Sequence, residues 1–219
     1  MKTISLKGIN KSFTIGKIAC VGKNYLEHAK ELGDEVPDKP VVFIKPSSSV
    51  IFSGEKIVYP DFSKSLHYET ELVCLIGKTG KKISASNAFE FIAGYAVGLD
   101  MTLRDLQSEA KKKGHPWTIS KCFDTSTVLG EFLLASEISN PDNLELKLWV
   151  NGELKQHDNT SNMIFSVAQI IEYLSTFFTL EEGDLIFTGT PSGVGEVKVG
   201  DKLFAEIPNV SKLETEIIQ

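Results

Sequence analysis

Arginine is nearly missing from this chain. Of 23 Lys and Arg residues only Arg104 is an arginine, and the 29 acids outnumber them to leave a formal net charge of −6. A chain without cationic excess has little with which to displace counterions from a phosphate backbone, which excludes a general nucleic-acid binder. Long apolar runs are missing too: nothing approaches the roughly 20 consecutive apolar residues that span a bilayer. Cysteine is scarce. Cys20, Cys74 and Cys122 are odd in number and far apart, so they carry neither a disulfide framework nor zinc-type pairing. The opening MKTISLKGINKSFTIGKIACVG lacks the apolar core of a secretory signal and the arginines of a transit peptide. These absences lead to the expectation of a reduced, cytoplasmic protein.

What is present is ordinary for a globular domain: 42% hydrophobic and 24% charged over 219 residues, enough to bury one sizeable core. Short β-like runs dominate, at 17–22, 40–45, 71–77, 91–100, 144–152, 184–189 and 202–207. In LELKLWVNGEL the apolar residues Leu144, Leu146, Leu148 and Val150 alternate, and Asn151–Gly152 is a hairpin-turn dipeptide. The pattern predicts a β-rich, mixed α/β fold with antiparallel or mixed sheets. Three helices interrupt it. One covers 24–32 and stops at Gly33. A second covers 102–113, with Thr102 and Asp105 in capping-box spacing and a stop at Gly114, beside the favourable C-terminal charge of Lys111–Lys113. The third follows Ser166, with Gln169 as capping partner and Phe165–Ile170 as staple. It presents Val167, Ile170, Ile171, Leu174, Phe177 and Phe178 at the helical period of a packed face.

The stretch HYETELVCLIG, 67–77, runs from titratable residues straight into an apolar strand. Side chains at i and i+2 share a strand face, so His67, Glu69 and Glu71 are expected in one row. Two such carboxylates about 5 Å apart repel by roughly 3 kcal/mol at an effective dielectric of 20. A second apolar run, FIAGYAVGLD, ends on Asp100, and an acid at the mouth of a buried strand needs a partner. A solvated strand end and a metal site both remain open here. Three carboxylates with no thiolate or histidine set beside them suit a hard cation with oxygen ligands: Mg²⁺, Mn²⁺ or Ca²⁺.

HYETEL, followed about 30 residues on by GYAVGLDMTLRDLQ, resembles the metal-binding core of the fumarylacetoacetate hydrolase family. The resemblance continues in VGKNYLEHAKE, KPSSS at 45–49, KKKGHPWTISKCFDTS at 111–126 and LIFTGTPSGVG at 185–195, so it covers nearly the whole chain. It is nearest to the small single-domain branch of acylpyruvases and oxaloacetate decarboxylases or tautomerases. The resemblance implies a β-sandwich roll with a few peripheral helices, in which 1–15 is a short N-terminal segment and 16–219 one catalytic domain. It also implies Mg²⁺ or Mn²⁺ on Glu69, Glu71 and Asp100, a small 2-oxo acid substrate, and a homodimer.

The same resemblance assigns the remaining residues. His28, with Glu31 three positions on as its carboxylate partner, would activate the catalytic water. Lys121 would neutralise an oxygen that gains charge. Gln107 and Thr190 would contact substrate. Arg104 suits either a bidentate grip on a substrate carboxylate or an ion pair with a neighbouring acid, and the sequence leaves both open. His67 is expected to support the glutamates. Independently of the resemblance, the Gly- and Pro-punctuated LGDEVPDKP that ends the first helix gives the expectation that 24–35 acts as a lid over substrate. The implied chemistry passes through an enolate and serves acylpyruvate hydrolysis, oxaloacetate decarboxylation or keto–enol exchange. Two rival readings are an isomerase or decarboxylase of 2-hydroxy-dienedioates and a non-catalytic protein with a structural cation.

Overall fold

The computed structural model describes residues 2–6, 9–31, 33 and 35–219. Its framework is a mixed sheet with strands in the order Val41–Lys45, Ile18–Gly22, Leu185–Phe187, Thr70–Ile76, Ile92–Asp100, Thr127–Leu129 and Val50–Phe52. Leu133–Leu134 pairs additionally with Ile92–Asp100. Every residue of Thr70–Ile76 is buried, because both faces of this sheet are covered. That is why the strand shows a continuous apolar run rather than an alternation.

One face is covered by a five-stranded sheet ordered Glu153–Asn159, Glu145–Val150, Lys202–Ile207, Ser211–Ile218 and Lys56–Val58. All of its strands but Glu153–Asn159 alternate: Leu146, Leu148, Leu203, Ala205 and Ile207 point inward and join Leu72, Val97 and Leu99 in one core. The other face buries Val73, Leu75 and Phe187 against Ile4 and Phe13 of the paired strands Thr3–Ser5 and Ser12–Thr14. Each aliphatic side chain buried this way contributes about 1.5–3 kcal/mol. The architecture is the expected β-rich sandwich roll. A three-stranded sheet of Thr102–Leu103, Leu66–Tyr68 and Gly195–Val197 adjoins the strand ends that carry the acids.

The Asn151–Gly152 hairpin forms as expected, with φ of 52° and 83° supplying the two positive values of a type I′ turn. Four α-helices are present among the described residues: α1 (Leu26–Glu31), α2 (Arg104–Lys113), α3 (Thr118–Lys121) and α4 (Val167–Phe177). The first is shorter than the expected 24–32, whose last position, Leu32, lies outside the described residues. α4 has the full capping box between Ser166 and Gln169. Its buried stripe is Val167, Ile170, Ile171 and Leu174, but Phe177 is 61% exposed and stacks edge-on against Tyr173 instead of entering the core. α2 corrects the capping expectation. Thr102 belongs to a strand and donates to the Asp100 carbonyl, and Asp105 accepts from Ser63 Oγ and the Lys64 amide. No helix of the described residues is long and apolar enough to cross a membrane.

Candidate active site

The antiparallel register sets Thr70 opposite Leu99 and Glu71 opposite Gly98, and the next rung joins the Asp100 amide to the Glu69 carbonyl at 2.9 Å. Glu69 and Asp100 therefore face each other across the ladder, with Glu71 one diagonal step along. One carboxylate oxygen from each residue lies within 4.8 Å of the others, and the three residues are only 5%, 2% and 1% exposed. The expected row of three on one strand is not observed. Leu66–Tyr68 pairs with Thr102–Leu103 and Gly195–Val197, and the ladder to Ile92–Asp100 starts afresh at Thr70. His67 thus sits opposite Thr102 and Glu196, with Nε2 3.1 Å from Ser65 Oγ, and does not line the pocket of the acids.

Cations meet two of the three acids. Lys121, delivered by α3, donates to Glu69 Oε2 at 2.7 Å and Asp100 Oδ2 at 2.6 Å. Lys45 donates to Asp100 Oδ1 at 2.5 Å and to the Ser126 carbonyl. Arg104 donates through Nη2 to Glu69 Oε1 at 2.5 Å and through Nη1 to Gln107 Oε1 at 2.6 Å, so the ion-pair alternative for the lone arginine is realised. Glu71 accepts from the Gly189 amide at 2.6 Å and has no ammonium or guanidinium partner among the described residues. Electrostatics follow this division. Burial pushes the Glu69 carboxyl up, but Lys121 and Arg104 outweigh it and hold it well below the ordinary range. Burial, then Asp100 and Glu69, push Glu71 well above it. Burial pulls the Lys121 ammonium down, yet Asp100 and Glu69 keep it above its usual value. A buried carboxylate with anionic neighbours and no cationic partner fits a divalent cation, and an all-oxygen donor set suits Mg²⁺ or Mn²⁺.

Helix α1 carries the dyad. His28 Nδ1 lies 3.1 Å from Glu31 Oε2, and Glu31 Oε1 accepts from the Gly193 amide at 3.0 Å. The helix is anchored just ahead of its first turn by Asn24, fully buried, which donates to the Thr188 and Phe165 carbonyls and accepts from the Phe165 amide. Gly189 permits this approach: it has φ +103°, and a Cβ there would stand 2.7 Å from that of Asn24. The expected lid segment 24–35 is described only in part, since Leu32 and Asp34 lie outside the described residues. Thr190 receives a hydrogen bond from Gln156 Nε2 at 2.9 Å. The same amide donates to the Pro191 carbonyl, and its oxygen accepts from the Thr70 amide between the two glutamates.

The structure brings His28, Glu69, Glu71, Asp100, Arg104, Gln107, Lys121 and Thr190 to one pocket, with Glu31 behind His28. The sequence reading gave no role to Lys45, Asn24 or Gln156. Lys45 carried a signal of the same kind as Asp100: a charge that closes an apolar strand, VVFIK, before a proline. Gln156 carried none, since its place as the one fully buried position in a strand otherwise exposed or half-exposed shows only in the structure.

Residues 17–218 match the family described as Fumarylacetoacetate (FAA) hydrolase C-terminal. The protein named oxaloacetate tautomerase FAHD1, mitochondrial, of Arabidopsis thaliana is 48% identical over 210 residues, covering 95% of this chain and 94% of its own. The crystal structure of fumarylpyruvate hydrolase from Pseudomonas aeruginosa, in complex with Mn²⁺ and pyruvate, superposes with a TM-score of 0.94 at 40% identity, covering 99% and 95%. That of 2-hydroxyhepta-2,4-diene-1,7-dioate isomerase from Mycobacterium marinum gives 0.83 at 36% identity, covering 94% and 75%. With the profile matching almost the whole chain and the register of its acids now explained, this protein belongs to the fumarylacetoacetate hydrolase family.

Proposed function

We propose that this chain is a divalent-cation-dependent enzyme of small 2-oxo acids that interconverts keto and enol forms and cleaves the C–C bond of acylpyruvates. The observation that carries this reading is the convergence of Glu69, Glu71 and Asp100 within 4.8 Å at a buried point. These three carboxylates would hold Mg²⁺ or Mn²⁺, with Ca²⁺ as a possible substitute. Bound there, the cation would supply Lewis acidity to the 2-oxo group. The chain's own groups do the rest. His28, its ring fixed by Glu31, moves the proton: from C3 to the 2-oxo oxygen of a 2-oxo diacid in keto–enol exchange, or from water in hydrolysis. In hydrolysis the hydroxyl adds to the distal 4-oxo carbon, the C3–C4 bond breaks and C3 takes the proton. Lys121 and Arg104 bring positive charge to the substrate oxygens that become anionic. Gln107 and Thr190, the latter oriented by Gln156, donate to the substrate carboxylate. A tautomerase role draws support from the Arabidopsis relative's name. A hydrolytic role draws support from a neighbour that holds Mn²⁺ and pyruvate.

A second reading, isomerisation of a 2-hydroxy-dienedioate, is favoured by the Mycobacterium neighbour. Steady-state rates on oxaloacetate, acetylpyruvate and a 2-hydroxy-dienedioate, each with Mg²⁺ and with EDTA, separate the two. Turnover of the first two that EDTA abolishes is the expected result. Turnover of the dienedioate alone would transfer the assignment to the second reading, and EDTA-resistant turnover would remove the cation from it.

A further inference from the structure

Lys121 occupies a position whose consequences reach beyond charge neutralisation. Its ammonium touches Glu69 Oε2 and Asp100 Oδ2, oxygens of two of the three acids that would also hold the cation. Three cations, Lys45, Arg104 and Lys121, contact Glu69 and Asp100, none of them contacts Glu71, and Lys23 and Lys111 also line the pocket. A dication added here brings two positive charges and sets them against an ammonium that shares its ligands. The space left between these side chains is only about 20 Å³, room for a single water and not for a 2-oxo acid. Substrate entry therefore requires a side chain to move. Lys121 lines the pocket, whereas Lys45 is fully buried and lies outside its lining.

We propose that Lys121 is a charge switch that makes the cation and the dianionic 2-oxo acid load as a pair. Its ammonium opposes the cation while it holds Glu69 and Asp100. The incoming anion draws it off those acids, and a dianion such as oxaloacetate cancels both charges that the cation adds, whereas an acylpyruvate monoanion cancels one. This rests on the cation reading above. By linkage, whatever the anion does for cation affinity the cation does for anion affinity.

The test is Mn²⁺ binding to the metal-stripped full chain, read from the free-ion EPR signal, with and without oxalate and corrected for the Mn²⁺–oxalate complex in solution. In Lys121→Met, Mn²⁺ alone binds at least about tenfold tighter than in wild type, and the gain from oxalate shrinks by a similar factor, within the usual range of coupling between sites. Lys45→Met removes the same charge from Asp100 but keeps the wild-type gain from oxalate. Should Lys121→Met fail to fold, Lys121→Gln is read in the same way. An oxalate gain equal in wild type and in the Lys121 variant overturns the proposal, as does an equal loss in both lysine variants. Wild type that takes up no Mn²⁺ under either condition instead sinks the cation reading on which it rests.

Discussion

His28 Nδ1 lies 3.1 Å from Glu31 Oε2, on a helix of only six residues that the second oxygen of Glu31 ties to the Gly193 amide. One carboxylate thus fixes both the ring and the position of its helix over the pocket. His28→Ala is expected to lower acetylpyruvate hydrolysis by roughly 10²–10⁴. Glu31→Gln should act in the same direction, because an amide offers one acceptor oxygen where the Gly193 amide and the His28 ring N–H each need one. Its NH2 facing Nδ1 also favours the tautomer whose Nε2 is already protonated. Unchanged hydrolysis by His28→Ala, with the fold verified by circular dichroism, removes the imidazole from the mechanism.

Gln156 is the polar pin of the site, with three hydrogen bonds to Thr70, Thr190 and Pro191 in a fully buried position. Gln156→Leu keeps the approximate size and strands those partners. Each buried group left unpaired costs about 1–3 kcal/mol, and urea unfolding should report a loss of that order or more. A change within about 0.5 kcal/mol would show that the partners find water, and that the pin is dispensable.

These two cases show where sequence reasoning reaches and where it stops. Glu69, Glu71 and Asp100 stood out because the charges abut apolar runs, a local signal that left a solvated strand end open, and the family resemblance joined them into one set. The Asn151–Gly152 turn and the Ser166 capping box were legible for the same reason, since their partners lie within a few residues. Lys45, Asn24 and Gln156 meet partners 55, 164 and 86 residues away, and only the register of the sheets brings those partners near. Thr102 misled because its capping spacing is outweighed by strand pairing with His67. Phe177 misled because helical period identifies a stripe but not where the neighbouring element ends.

Asp105 accepts from Ser63 Oγ and the Lys64 amide at the start of the helix that carries Arg104 and Gln107. Burial tends to raise its pKa, but the backbone and Ser63 hydrogen bonds outweigh this and hold it below the model-peptide value of 3.8. A depressed carboxyl contributes stability that is complete above its unfolded pKa and is lost as pH falls through the folded one. Asp105→Asn should therefore melt below wild type at neutral pH, with the gap closing under acid conditions below 3.8. A gap that stays constant from neutral pH into acid contradicts this account of the helix start.

Glu71 is the acid with anionic neighbours and no cationic partner among the described residues, so it tests the central claim most directly. Metal-stripped wild type and Glu71→Gln are titrated with Mn²⁺ and followed by EPR, with circular dichroism confirming that both are folded. With oxalate present, wild type should take up Mn²⁺, and the variant should leave it free at the same concentrations. Equal uptake by the two proteins would contradict a cation held by Glu69, Glu71 and Asp100.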